Sequence, residues 1–82
     1  MTPEQCVQAR ALLGWRRLDL AQEADVSSET VRNFELRLHP PRPRTLSVLR
    51  TTLEAAGVVV EEESGKSSGV RLRKENGWAA DL

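Results

Sequence analysis

The chain lacks most of the side chains from which catalytic and metal sites are built. Its 82 residues include one cysteine, one histidine and no tyrosine. A zinc site takes three or four protein ligands, which one Cys and one His cannot supply. His39 lies in the turn-like segment LHPP with no Ser or Asp pattern around it, and no glycine-rich phosphate loop is present. We therefore expect no enzymatic activity, no metal and no cofactor.

Disulfide bonds and membrane spans are not expected either. The single cysteine, Cys6, has no partner for an internal disulfide, and its helical spacing with Ala9 and Leu13 predicts a small buried hydrophobe. No apolar run approaches the roughly 20 residues of a membrane-spanning helix. The N-terminus also lacks the basic and apolar regions of a signal peptide. These absences predict a cytoplasmic protein without a membrane partner.

Charge is balanced over the whole chain but unevenly distributed. Twelve basic residues offset twelve acidic ones, so a uniformly basic surface is excluded. All eight basic residues before position 58 are arginine, and the segment 32–50 holds five of them against one acidic residue. An acidic run at 61–63 offsets this local excess. Because arginine binds phosphate in a bidentate manner, the segment 32–50 predicts a basic patch.

Length and periodicity predict one small domain that begins with four helices. Thr2, Pro3 and Gln5 have the pattern of a capping box for a first helix over 3–13, which ends at Gly14. Three prolines between positions 40 and 43 interrupt the chain before the last helix. Apolar spacing predicts the other three helices over 17–24, 28–36 and 44–56.

The pattern changes after Gly57 to one typical of strands. Three consecutive valines are followed by the turn-forming segment SGKSSG, and then Val70 and Leu72 alternate with arginines. This predicts a β-hairpin or strand pair over 58–73 and a partly disordered tail over 74–82 that contains Trp78. We expect the strands to add little to the helical core. A two-stranded sheet is marginal alone, and its free edge can pair with a second chain. The predicted dimerisation residues are Val58, Val60, Val70 and Leu72.

Residues 17–36 have the features of two helices joined by a tight turn. The small Ala21 lets the second helix approach closely, and Asp25 tolerates the left-handed backbone of such a turn. Val26 fills the angle between the helices, Val31 anchors the second one, and Ser27 is a favourable N-cap. This arrangement is a helix-turn-helix, whose second helix exposes four polar residues: Ser28, Glu29, Arg32 and Asn33.

Three stretches of sequence carry a more specific pattern: QARALLGW (8–15), LAQEADVSSETVRNFE (20–35) and PRPRTLSVLRTTLEAAGV (41–58). In these stretches the chain resembles the XRE family of helix-turn-helix domains, the fold of lambdoid phage repressors and Cro proteins. The resemblance covers about two thirds of the chain. It implies a mainly α, four-helix lambda-repressor-like domain over 1–57, followed by the short β extension.

The resemblance also implies which side chains contact nucleic acid. The third helix of the family lies in the major groove of DNA, which implies base-reading roles for Ser28, Glu29, Arg32 and Asn33. Glu29 has the alternative of pairing with Arg32 three residues later. The residues implied to bind DNA phosphates are Arg16, Arg17, Ser27, Arg37, Arg42 and Arg44, with Arg50 a weaker candidate.

One ion pair is implied as structural, and three positions depart from the family pattern. Many members pair an arginine of helix 1 with the glutamate that ends the recognition helix, which implies a pair between Arg10 and Glu35. This chain has Arg16-Arg17 where Ser-Gln is common, Asp25 where a turn glycine is common, and Leu36-Arg37 where Asn-Gly is common.

These expectations describe a sequence-specific DNA-binding transcriptional regulator. It would be a repressor, associated with the nucleoid, that binds palindromic operator DNA as a homodimer. The alternative is an antitoxin or anti-activator of the same fold that acts mainly through a protein partner, with the acidic run 61–63 and the Trp78 tail as the partner-binding segment. A purely structural interaction module would leave the arginine clustering unexplained.

Overall fold

The four predicted helices and two predicted strands are all present, in the predicted order. The structure is a computed structural model that describes residues 1–61 and 69–73. Each helix begins and ends within one residue of its predicted bounds. The elements are α1 (Pro3–Leu13), α2 (Arg17–Ala24), α3 (Ser28–Glu35), α4 (Pro43–Ala55), β1 (Val58–Val60) and β2 (Val70–Leu72). The fold is therefore a mainly α domain with a short C-terminal two-stranded antiparallel sheet.

Local backbone signals set both ends of α1. The Thr2 hydroxyl accepts a hydrogen bond from the Gln5 N–H (3.1 Å), and the Gln5 side chain accepts one from the Thr2 N–H (2.8 Å). This reciprocal pair confirms the predicted capping box. At the other end Gly14 adopts a left-handed backbone with φ of 70°, and its N–H donates to the Ala11 carbonyl. A residue with a Cβ would be strained there, which is why the helix ends at glycine.

The turn between α2 and α3 has the unusual backbone that the sequence predicts. Asp25 has φ of 59° and ψ of 45°, and the next N–H, of Val26, donates to the Ala21 carbonyl at 3.0 Å. Ser27 then starts α3, because its hydroxyl accepts from the Thr30 N–H at 3.1 Å. These bonds satisfy backbone groups at both helix ends and hold α3 across α2.

The core includes the strands, which corrects the prediction that they add little to it. Val58 is 1% exposed and Val60 4% exposed, and both belong to the same apolar cluster as the helical residues. β1 packs against α1 and α4. A chain of this size has few apolar side chains to bury, so two valines are a substantial addition. The buried apolar side chains are Cys6, Ala9, Leu20, Ala21, Ala24, Val31, Phe34, Leu49, Leu53, Val58 and Val60.

The two strands pair within one chain, with Val59 opposite Arg71. Flanking bonds join the Glu61 N–H to the Gly69 carbonyl (2.9 Å) and the Arg73 N–H to the Gly57 carbonyl (2.7 Å). Bonded and non-bonded pairs alternate in an antiparallel ladder, so the backbone groups of Val70 and Leu72 point away from β1. The inward side chains of Val58 and Val60 are core residues. Their predicted role in dimerisation stays a prediction, as does that of Val70 and Leu72.

The C-terminal tail and the absence of membrane spans are the remaining predictions about the fold. The predicted tail 74–82, with Trp78, lies outside the described residues, as do residues 62 and 63 of the acidic run. Every helix in the described part of the chain is too short or too polar to cross a bilayer.

Replacing Val58 with alanine tests the contribution of β1 to the core. Val58→Ala should lower the free energy of unfolding by about 2 kcal/mol, because two methyl groups leave a closed cavity. The matched control is Val7→Ala on the exposed face of α1, where Val7 is 41% exposed and the change should cost less than about 0.5 kcal/mol. Urea unfolding followed by circular dichroism measures both. Equal stability of the two variants would contradict the inclusion of β1 in the core.

Candidate nucleic-acid interface

Helix α3 separates its polar and apolar side chains onto opposite faces. Val31, Phe34 and Glu35 are buried, and they fix the rotation of the helix about its axis. The four residues predicted to read bases follow helical spacing on the other face. Of these, Ser28, Glu29 and Arg32 are exposed and Asn33 is half-buried. The structure therefore brings all four together on one continuous surface.

A concave surface rich in arginine lies along one side of α3. Arg16 and Arg17, at the start of α2, face Arg32 across it. Trp15 contributes an aromatic wall, and Leu18 an apolar one. We call this the α2 groove. Its lining residues are Arg10, Trp15, Arg16, Arg17, Leu18, Ser28, Glu29 and Arg32.

A second concave surface lies along the other side of α3. It is formed by the loop that precedes α4 and by the first turn of α4, and we call it the α4 groove. Asn33 of α3 faces Arg42 and Thr45 across it. The complete lining is Thr30, Asn33, His39, Pro40, Pro41, Arg42 and Thr45. Helix α3 thus lies between two grooves, each of which contains at least one arginine.

Beneath the α2 groove, a buried carboxylate binds two arginines. Both oxygens of Glu35, whose side chain is 0% exposed, accept from Arg10, with Nε to Oε2 at 2.7 Å and Nη2 to Oε1 at 2.8 Å. Arg17 Nε donates to Oε1 at 2.9 Å, and Arg10 Nη1 donates to the Trp15 carbonyl at 3.0 Å. The predicted pair between Arg10 and Glu35 is confirmed. The second cation, Arg17, had been predicted as a phosphate ligand.

This cluster shifts the pKa values of two buried groups in opposite directions. Burial raises the pKa of Glu35, but hydrogen bonds from Arg10 and Arg17 oppose it, and the net pKa lies below its ordinary value. Burial, together with the adjacent Glu35 carboxylate, raises the pKa of Cys6. The thiol therefore stays protonated, as expected of the small buried hydrophobe that the sequence predicts.

Two further arginines predicted to bind phosphate have carboxylate partners at the surface. Arg16 donates to Asp19 through Nε (3.1 Å) and Nη2 (2.9 Å), and the hydrogen bonds to Arg16 lower the pKa of Asp19 to about 2. Arg37 donates to both oxygens of Glu4 at 2.8 Å, which lowers the pKa of Glu4. Both pairs lie at the surface, where an ion pair contributes little to stability.

Three arginines differ from these in having no carboxylate partner among residues 1–61 and 69–73. They are Arg32 on α3 and Arg42 and Arg44 at the start of α4. The described part of the chain also shows no pair between Glu29 and Arg32. All three guanidinium groups are therefore open to an external anion.

Other predicted contacts have different surroundings. The Ser27 hydroxyl is engaged within the chain, since it caps α3 and shares a 2.8 Å hydrogen bond with the Thr30 hydroxyl. Arg50 donates to Glu54 and to the Val60 carbonyl, and it supports the sheet rather than either groove. Trp15 is half-buried and Phe34 is buried. The Asp19 partner of Arg16 escaped sequence reasoning, although its i, i+3 spacing is that of a capping box.

Comparison with known proteins does not assign the chain. No protein-family model matches it, and a search of curated proteins gives no match. The features that bear on function are therefore the fold and the two grooves beside α3.

Replacing Glu35 tests the energetic role of the buried cluster. Glu35→Gln should lower the free energy of unfolding by about 3 kcal/mol at pH 7, because two partly buried guanidinium groups lose their counterion. The folded pKa of Glu35 lies below its unfolded value, so the ion pairs contribute fully above about pH 4.5. That contribution is lost as the pH falls through the folded pKa. The difference in free energy of unfolding between the unmodified chain and Glu35→Gln should therefore decrease at low pH.

Glu29→Gln on the same helix is the matched control, since Glu29 is exposed and has no ion-pair partner in the described part of the chain. It should change stability by less than about 0.5 kcal/mol at either pH. Urea unfolding at pH 7 and at pH 3 measures all three proteins. A Glu35→Gln variant as stable as the control at pH 7 would show that the cluster is energetically neutral.

Proposed function

We propose that this chain is a sequence-specific, double-stranded DNA-binding regulator of the XRE helix-turn-helix type, and that it acts as a repressor. The observation that carries the proposal is the exposed face of α3, with Ser28, Glu29, Arg32 and Asn33, between two arginine-bearing grooves. An α-helix is about 10–12 Å wide, which matches the roughly 12 Å width of the DNA major groove. The flanking arginines would then lie beside the two phosphate backbones.

The side chains on this face suit direct reading of base edges. Arg32 has the fork that binds guanine O6 and N7, and Asn33 can bind adenine N6 and N7. Glu29 can accept from cytosine N4, and its carboxylate disfavours positions that bring a phosphate close. Since Arg32 has no carboxylate partner within the described residues, its fork is available without breaking an internal pair.

The start of α4 suits phosphate binding. Arg42 and Arg44 flank Pro43, and no side chain caps the first turn of the helix. Backbone N–H groups at a helix start, together with adjacent guanidinium groups, attract phosphate oxygens. These contacts would orient α3 in the groove and would carry no sequence information.

Dimerisation supplies the second half-site in this proposal. One recognition helix reads only a few base pairs, which is too few for useful specificity. The outer edge of β2 offers the backbone groups of Val70 and Leu72, and Leu72 is 50% exposed. Antiparallel pairing of two such edges would relate the chains by a twofold axis, as a palindromic operator requires.

A protein partner, as for an antitoxin or anti-activator, is the second candidate. Leu36 and Leu38 are exposed in the loop after α3, the latter by 60%. They adjoin a small concavity lined by Pro3, Phe34, Arg37, His39 and Pro40. Neighbouring exposed leucines beside an apolar hollow are typical of a protein contact. Duplex binding that shows no salt dependence would favour this candidate over DNA recognition.

Two arginine substitutions test the division between base reading and phosphate binding. Arg32→Ala should weaken binding to the preferred site by about 1–3 kcal/mol and relax one or two base positions. Arg42→Ala should weaken binding to all duplexes about equally and reduce the salt slope by about 0.9 for each subunit. Fluorescence anisotropy with a duplex selected from a random pool, titrated at several salt concentrations, measures both.

Arg32→Lys is the matched control, since it keeps the charge and removes the bidentate fork. It should lose base discrimination while retaining the salt slope. For the unmodified dimer we expect a slope of about −4 or steeper. An affinity that does not change with salt would overturn the DNA-binding proposal. Identical behaviour of Arg32→Ala and Arg42→Ala would overturn the assignment of roles.

A proline at position 72 tests the β2 edge as the dimer contact. The Leu72 N–H points away from β1, so Leu72→Pro spares the pairing within the chain and blocks pairing with a second chain. Leu72→Ala removes the same side chain and keeps the N–H donor. Light scattering should report a monomer for Leu72→Pro and a dimer, weakened at most, for Leu72→Ala. A dimeric Leu72→Pro variant would exclude this edge.

A further inference from the structure

The arginines beside α3 fall into two groups, which differ in whether the guanidinium already has a carboxylate partner. Arg32, Arg42 and Arg44 have no carboxylate partner in the described part of the chain, whereas Arg16 and Arg17 each have one. An arginine of the second group already donates to a carboxylate, so a phosphate that binds the same donors must displace that carboxylate. How easily it does so depends on where its carboxylate lies.

Separating Arg17 from its partner, the buried Glu35 carboxylate, would be energetically costly. The Glu35 carboxylate is 0% exposed, so losing one of its cations would leave a buried charge with a single remaining counterion. The Arg17 guanidinium therefore stays with Glu35. Arg16 is different, since its side chain is 73% exposed and that of Asp19 is 29% exposed. Water can replace either partner of this pair.

The Arg16 pair occupies one of the two guanidinium edges through which a phosphate can bind with two parallel hydrogen bonds. Nε and Nη2, the two donors of one side of the fork, point at the two oxygens of Asp19 at 3.1 and 2.9 Å. A phosphate binds arginine through the same kind of parallel pair of donors. Asp19 and a DNA phosphate are therefore competitors for one set of donors.

The position of Arg16 makes that competition relevant to DNA. Its side chain lines the α2 groove together with Ser28 and Arg32 of α3. Any duplex that receives α3 in its major groove brings a phosphate backbone to this side of the helix. The Asp19 carboxylate, at the same place, adds a negative charge that repels the phosphate.

We infer that Asp19 limits DNA affinity by holding the Arg16 guanidinium in an internal pair, so that removing the Asp19 charge strengthens binding. The inference rests on the proposed function. Because the competing ligand is a phosphate, the gain is independent of base sequence. Asp19 is thus a determinant of overall affinity, while the residues of α3 determine sequence preference.

Asp19→Asn is a suitable test because it removes the charge and keeps the helix start. The Asp19 carboxylate also accepts the Arg16 N–H at 2.7 Å, and the amide oxygen of asparagine can accept the same bond. The matched control is Glu23→Gln, which removes one negative charge from the same helix outside the α2 groove, where Glu23 lines a hollow with Trp15 and Thr51. Any gain shared with this control reflects net charge alone.

Anisotropy titrations of the selected duplex and of a scrambled duplex measure the effect. Asp19→Asn should bind both about two- to five-fold more tightly per subunit at low salt, as expected when an exposed ion pair no longer competes. Its salt slope should be steeper by about 0.9 for each subunit, since Arg16 gains a phosphate contact. Glu23→Gln should change neither quantity by a comparable amount.

The same comparison in an Arg16→Gln background identifies the group through which Asp19 acts. In this background Asp19→Asn should change DNA affinity no more than Glu23→Gln does. NMR titration of Arg16→Gln with Asp19 intact should show the pKa of Asp19 rising from about 2 towards its ordinary value of 3.8. A gain that persists without Arg16 would overturn the inference in favour of direct repulsion. Weaker binding by Asp19→Asn would overturn it in favour of a positioning role for Asp19.

The unmodified chain separates failure of this inference from failure of the proposed function. If it binds duplexes with a steep salt slope and Asp19→Asn matches Glu23→Gln, the inference alone is wrong. If it shows no salt-dependent binding to any duplex, the proposed function is wrong and the inference falls with it.

Discussion

The position of α3 depends on the buried Glu35 carboxylate. It lies at the end of that helix and binds Arg10 of α1 and Arg17 of α2, so one charged group joins three helices. An isolated carboxylate would not stay ionised at such a depth, and hydrogen bonds from both arginines keep its pKa low. The cluster adds little net stability compared with an apolar core, but it accepts few alternative arrangements. The orientation of the exposed polar face of α3 follows from it.

Internal pairing converts a chain of zero net charge into a surface with a distinct electrostatic pattern. Glu35, Asp19 and Glu4 neutralise arginines that sequence alone would count as available cations. Arg32, Arg42 and Arg44 remain without such a partner in the described part of the chain. The cations available to an external anion are therefore set by where the acids lie, and the overall charge balance does not reveal them.

The two short strands complete the core as well as presenting an edge. In a chain of 82 residues the four helices leave one side of the apolar cluster open, and Val58 and Val60 close it against α1 and α4. The backbone groups of Val70 and Leu72 point away from β1 and have no backbone partner among residues 1–61 and 69–73. The core thus uses one face of this small sheet, whereas the proposed dimer contact would use the outer edge of β2.

Local sequence determined the elements of this fold, and tertiary structure decided their electrostatics. The capping box at Thr2, the left-handed Asp25 and the prolines before α4 act over a few residues, so helix bounds and the exposed face of α3 could be predicted from spacing alone. The pair between Arg10 and Glu35 was predictable only through family resemblance. The additional binding of Arg17 to Glu35 and the pairing of Arg37 with Glu4 join residues 18 and 33 positions apart, and the burial of Val58 requires α1 as well as the neighbouring α4. Such contacts depend on how the elements pack, because the reach of a side chain across space leaves no periodic signal in the sequence.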